Sequence, residues 1–128
     1  MQLEQIIQEW CFIAGQDMAS ANYLNTMKPK PMEVIGFLCQ QAVEKYMKAF
    51  LVQNGTDPDK THDLFFLLKQ CQSFDSTFID LFETANNLNQ YAVQTRYPYP
   101  HQLQEEQINQ SLELANKAVG FLCSKLGI

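Results

Sequence analysis

Between Pro31 and the pair Asn54-Gly55 lies an uninterrupted stretch, Met32 to Gln53, whose apolar residues cover a wide arc of a helix. Val34, Leu38, Ala42, Ala49 and Val52 form one stripe at helical spacing. Cys39, Val43, Tyr46 and Phe50 widen it. An arc this broad needs more than one neighbour to cover it. Two prolines in Lys28-Pro29-Lys30-Pro31 disfavour helix on one side, and Asn54-Gly55 is a good C-terminal stop on the other.

The neighbours are legible as further helical segments. From about Gln2 to about Thr26, Leu3, Ile6, Ile7, Trp10, Ala14, Ala21 and Leu24 share one face. After the loop Thr56-Asp57-Pro58-Asp59-Lys60, Thr61 serves as N-cap of a third helix through about Cys71, carrying Leu64, Phe65, Leu67 and Leu68. Ser73 or Asp75 opens a fourth segment to about Val93, with Phe78, Leu81, Phe82, Ala85, Leu88 and Ala92 inward. The last helix runs from about Gln104 to Leu126. Its main stripe is Ile108, Leu112, Ala115, Val119, Leu122 and Leu126, and Leu114 with Phe121 form a second stripe nearly opposite. That second stripe implies burial on two sides. No run alternates with period two long enough to be a strand. The expectation is an all-α, antiparallel up-and-down bundle of four to five helices, one domain over residues 1–128.

Composition narrows the function classes. No segment reaches the ~20 apolar residues of a bilayer span, and Met1-Gln2-Leu3-Glu4-Gln5 does not read as a secretory signal. Cys11, Cys39, Cys71 and Cys123 sit among apolar residues with no Cys-x2-Cys pair, and are read as reduced, buried, small side chains of a cytoplasmic protein. A net charge of −5 and a pI near 4.9 rule against a broad phosphate-binding stripe, so any nucleic-acid contact must be local. There is no P-loop and no zinc-type spacing, and neither a cofactor nor a metal is expected.

Chemistry-bearing residues are few. Arg96 is the sole arginine, set among Tyr91, Tyr97 and Tyr99 and five positions before His101. Its guanidinium fork suits phosphate, the imidazole can move a proton near neutral pH, and the tyrosines can stack on bases. On spacing alone, Arg96 would rather cap a carboxylate or a helix end. Pro98 and Pro100 make the segment an extended turn. Asp17 falls within the apolar stripe of the first helix and needs a partner, with Arg96, Lys45 and His62 as candidates. Its role is either structural anchoring or orienting a functional arginine. Glu44 and Lys48 are an i, i+4 pair, and spacing favours a solvated salt bridge, with Lys45 beside it at the edge of the core stripe. His62 is placed in the first turn of the third helix with a local capping role.

Phe37-Leu38-Cys39-Gln40-Gln41-Ala42-Val43-Glu44-Lys45-Tyr46-Met47-Lys48-Ala49-Phe50-Leu51-Val52, Lys60-Thr61-His62-Asp63-Leu64 and Thr95-Arg96-Tyr97-Pro98, with Trp10, Ala14 and Asp17, together resemble the HEPN domain family. The resemblance covers nearly the whole chain. It implies a homodimer. It also implies action on RNA or nucleotides, often as a metal-independent endoribonuclease toxin paired with a small nucleotidyltransferase. Arg96 and His101 match the family's catalytic Arg-x4-6-His pattern, and Glu44 with Lys48 a Glu-x3-Lys pair. Lys48, Tyr97 and Tyr99 are then expected to contact RNA or nucleotide, with Asp17, Glu44, Lys45 and His62 in support. The alternative is a non-catalytic nucleotide-binding or partner-docking module.

Overall fold

A computed structural model of the chain describes residues 2–93 and 103–128. Among them are five α-helices and no strand: α1 (Gln2–Leu24), α2 (Met32–Gln53), α3 (Leu64–Phe74), α4 (Phe82–Leu88) and α5 (Glu105–Leu126). Single 3-10 segments, Ser76–Leu81 and Asn89–Tyr91, flank α4. The all-α bundle expected from the periodicity is what forms.

α2 is the axis of the bundle, packed against α1, α3 and α5. Of its 22 residues, 14 are buried, on every side of the helix. The polar Gln40, Glu44 and Lys48 are buried with the rest. Its C-terminus closes as anticipated: Thr56 N–H donates to Leu51 O at 2.9 Å, and Gly55 takes φ +85°, a left-handed value that a side chain would oppose.

Paired contacts fix the directions. Lys48 lies over Trp10 and Lys45 meets Asp17, so α1 and α2 are antiparallel. Gln53 reaches the Leu126 carbonyl, so α5 ends where α2 ends. Met47 O accepts from Cys71 Sγ and Gln40 bonds the His62 carbonyl, so α3 runs in the same sense as α2. The loop between Asn54 and Asp63 must therefore retrace part of α2. The bundle is all-α as expected, but the antiparallel up-and-down alternation expected from the sequence does not hold between α2 and α3.

Three further sequence expectations change. Asp63, not Thr61, caps α3, its Oδ1 accepting from Phe65 N–H at 3.0 Å, while Thr61 Oγ1 accepts from Asp63 N–H. Asn89 holds this turn through Leu64 N–H and Asp63 Oδ1, so the helix starts later and His62 lies ahead of it. Next, the segment after Asp75 begins as 3-10 helix, whose three-residue turn shifts the inward phase. Phe78, Leu81, Ala85 and Leu88 stay buried, but Phe82 is 53% exposed and leans on Phe65. Finally, Leu3 and Ile6 are exposed although they share the α1 stripe. With Trp10 opposite Lys48, Leu3 lies opposite the turn where α2 has already ended.

Of the second stripe of α5, Phe121 packs within the chain. Phe121 packs edge-on against Phe78 at 5.2 Å, and Phe78 in turn meets Phe50 at 4.5 Å. Lys125 Nζ lies over the Phe121 ring, 5.3 Å from its centroid. Among the cysteines, Cys39 and Cys71 are buried as read, whereas Cys11 and Cys123 are half-exposed; all four are free.

Two glycines in the helices should respond oppositely to alanine. A Cβ on Gly36 would meet the Tyr91 ring at 2.6 Å, whereas one on Gly120 meets nothing within 4 Å. Gly36→Ala should cost about 1–3 kcal/mol in urea unfolding, and Gly120→Ala should gain about 0.5–1 kcal/mol.

Acid should act through Asp75. Its carboxyl is held at about 2, below the ordinary 3.8, by hydrogen bonds from Lys125 and then Thr77. A depressed carboxyl stabilises the fold above its unfolded value and stops doing so as pH falls through its folded value. Wild type should lose its advantage over Asp75→Asn as pH falls from about 4 to about 2, read from thermal midpoints.

Candidate functional site

The polar face of α2 places five side chains in helical register. Gln40, Glu44 and Lys48 follow one another at i, i+4, and Gln41 and Lys45 do so beside them. Glu44 is the hub and is 2% exposed. Its Oε2 accepts from Lys48 Nζ at 3.0 Å. Its Oε1 faces His62 Nδ1 at 2.9 Å and accepts from Gln40 Nε2 at 3.2 Å and Gln41 Nε2 at 3.4 Å. Gln40 also donates to the His62 carbonyl at 2.9 Å, fixing the backbone that carries the imidazole.

A second ion pair joins this network. Lys45 Nζ donates to Asp17 Oδ2 at 3.2 Å and to Gln41 Oε1 at 2.6 Å, and Gln41 Nε2 donates to Gln40 Oε1 at 2.8 Å. Of the partners considered for Asp17, Lys45 meets it, and His62 is engaged by Glu44 instead; Arg96 lies outside the described residues. A continuous polar chain runs from Asp17 on α1 through α2 to His62 at the approach to α3.

This overturns the reading of Glu44 and Lys48 as a solvated pair. Their side chains are 3% and 7% exposed. The i, i+4 spacing is identical on a wet or a dry face, and here α1 and the loop returning from Asn54 dry it. His62 likewise does more than cap locally: its Nδ1 is held by Glu44, while the ring is 61% exposed, so its Nε2 edge is the open one. Gln40 and Gln41 were not singled out as functional residues. Their signal was available: each stands four residues before an ionisable side chain of the same network.

Beside the network lies a cleft of about 570 Å³. It opens between the start of α1, the end of α2 and the loop at residues 55–60. Leu3, Ile6, Trp10 and Val52 form apolar walls, Lys48 reaches it from below, and Asp57, Asp59 and Lys60 line the loop side. Lys48 Nζ sits 5.6 Å from the Trp10 ring centroid, within cation–π range.

The thiols offer no nucleophile in the core. Burial pushes Cys39 and Cys71 up to about 12, and burial followed by the neighbouring Cys123 raises Cys11. Arg96, Tyr97, Tyr99 and His101 lie outside the described residues. Among those described, no three His, Cys, Asp or Glu side chains converge as a metal ion would require. No described helix is long and apolar enough to cross a membrane.

The buried hub yields a mutational expectation. Glu44→Gln strands the Lys48 ammonium and should cost about 3–5 kcal/mol in denaturant unfolding. Glu44→Gln with Lys48→Met should recover most of that loss, whereas His62→Ala, at an exposed ring, should cost less than about 1 kcal/mol. Equal losses for the single and double variants would contradict the hub.

The sequence pattern of the HEPN domain family matches residues 7–126, nearly the whole chain. No curated protein and no solved structure matches.

Proposed function

The chain belongs to the HEPN domain family, and from that premise we propose that it is a homodimeric endoribonuclease in which Arg96 and His101 do the chemistry. Membership supports a nucleotide- or RNA-related role in general. The finer reading is carried by one observation: the only arginine of the chain stands in an Arg-x4-His pattern inside the matched span.

The chemistry asks little of the protein. The ribose 2′-oxygen attacks the adjacent phosphorus, the bond from phosphorus to the 5′-oxygen breaks, and a cyclic phosphate and a free 5′-hydroxyl result. Arg96 clamps the phosphate oxygens as charge builds on them. His101 takes the 2′ proton or returns one to the leaving oxygen. The described fold supports this division of labour. Asp17 and Glu44 find their cations in Lys45 and Lys48, so neither needs Arg96 for charge compensation. An acidic chain also suits a local phosphate contact better than a broad one.

A second reading is a non-catalytic module that binds a nucleotide or docks a small nucleotidyltransferase. The cleft beside Lys48 and Trp10 favours it, since it offers a cation and an aromatic wall.

Purified protein should cut RNA in excess chelator, and Arg96→Ala or His101→Ala should each reduce cutting by at least about 100-fold. Cleavage that survives both substitutions would sink the enzyme reading. Absent cleavage with saturable nucleoside or nucleotide binding would favour the module.

A further inference from the structure

The cleft between the start of α1 and the loop after α2 has the makings of a ligand site. Its volume of about 570 Å³ falls within the range of small-molecule pockets. Its walls are Leu3, Ile6, Val52 and the indole of Trp10, suited to a flat apolar body.

Its floor carries a fixed donor. Lys48 is 5% exposed, and Glu44 pins its Nζ through a single hydrogen bond. Among the described residues no other acceptor reaches that ammonium, so further N–H directions remain for a ligand. Glu44 is itself braced by Gln40, Gln41 and His62, so Lys48 cannot swing away with its counterion. An immobilised donor among apolar walls selects one well-placed acceptor.

The loop side selects against heavy negative charge. The Lys48 cation is balanced by Glu44, and across the loop one cation, Lys60, stands against two carboxylates, Asp57 and Asp59. A polyphosphate is repelled by that balance, whereas hydroxyl groups can donate to the carboxylates. A planar body, one acceptor and neighbouring hydroxyls describe a nucleoside unit.

We propose that this cleft is a nucleoside-binding subsite. The base packs against the Trp10 indole, a base carbonyl accepts from Lys48 Nζ, and ribose hydroxyls donate to Asp57 and Asp59. The assignment rests on the RNA-or-nucleotide reading above and gives it a second point of recognition, apart from the phosphate chemistry. Carbonyl-bearing bases are preferred over adenine. The nucleoside comes either free in solution or as the end of an RNA strand.

Trp10 is the only tryptophan and forms a wall of this cleft, so its fluorescence reports on the cleft's occupancy. The full chain is titrated with guanosine, uridine, cytidine, adenosine, ribose 5-phosphate and short RNAs, with calorimetry in parallel. Guanosine or uridine should quench Trp10 saturably, and ribose 5-phosphate should not. Lys48→Gln and Leu3→Glu should each weaken binding by about tenfold or more. Leu3 is 53% exposed, so Leu3→Glu keeps the test decisive if Lys48→Gln fails to fold. An RNA end that binds more tightly than the nucleoside assigns the site to the strand, and equal affinities assign it to the free nucleoside. No saturable response to any of these ligands overturns the proposal. So does binding that leaves Trp10 unchanged or survives Leu3→Glu, and so does adenosine binding more tightly than guanosine and uridine. Those failures leave Arg96-dependent cleavage untouched. Conversely, a protein that never cuts RNA but binds guanosine here loses the nuclease reading and keeps the subsite.

Discussion

The Glu44 carboxylate is the interaction on which the rest of this structure turns. It is buried in a helix that is itself buried on all sides, and a charge in that position is tolerable only with partners on both oxygens. Lys48 takes one oxygen, and His62, Gln40 and Gln41 take the other. These partners come from α2 and from the chain just ahead of α3. The carboxylate therefore dictates where the loop after α2 must run, because that loop has to return His62 to it.

That return path creates the surface on which function is proposed. Had the chain turned directly into an antiparallel third helix, Asp57 to Lys60 would not be laid beside α2. Because the loop doubles back, it leaves the first turns of α1 without a facing helix. Leu3 and Ile6 become cleft walls instead of core. Burial of one ion pair and exposure of two apolar side chains are thus consequences of the same loop. The free energy of the buried pair supports rigidity of Lys48 more than it supports stability, since such pairs return little net stabilisation against their desolvation.

The proposed chemistry and the proposed recognition occupy different parts of the chain. Arg96 and His101 would handle phosphate and proton, for which a guanidinium and an imidazole suffice. The cleft would handle a base, for which apolar walls and one fixed donor are needed. A protein of net charge −5 cannot rely on diffuse attraction to a polyanion, so separate local contacts suit it.

Much of this was legible before any coordinates. The wide apolar arc of α2, the breakers on both sides of it and the main stripe of α5 follow from 3.6-residue periodicity and from backbone chemistry at Pro and Gly, which are local properties. The resemblance drawn from the α2 stretch and the Arg-x4-His segment was equally local. What tertiary structure alone decided concerns environment. Spacing says that Glu44 and Lys48 meet, but not whether water reaches them, because burial depends on neighbours far along the chain. It cannot bring His62 to a carboxylate 18 positions away, pair Lys45 on α2 with Asp17 on α1, or show that Leu3 faces a gap. Those outcomes depend on how the helices are set against one another, and a helix carries no record in its own sequence of where its neighbour ends.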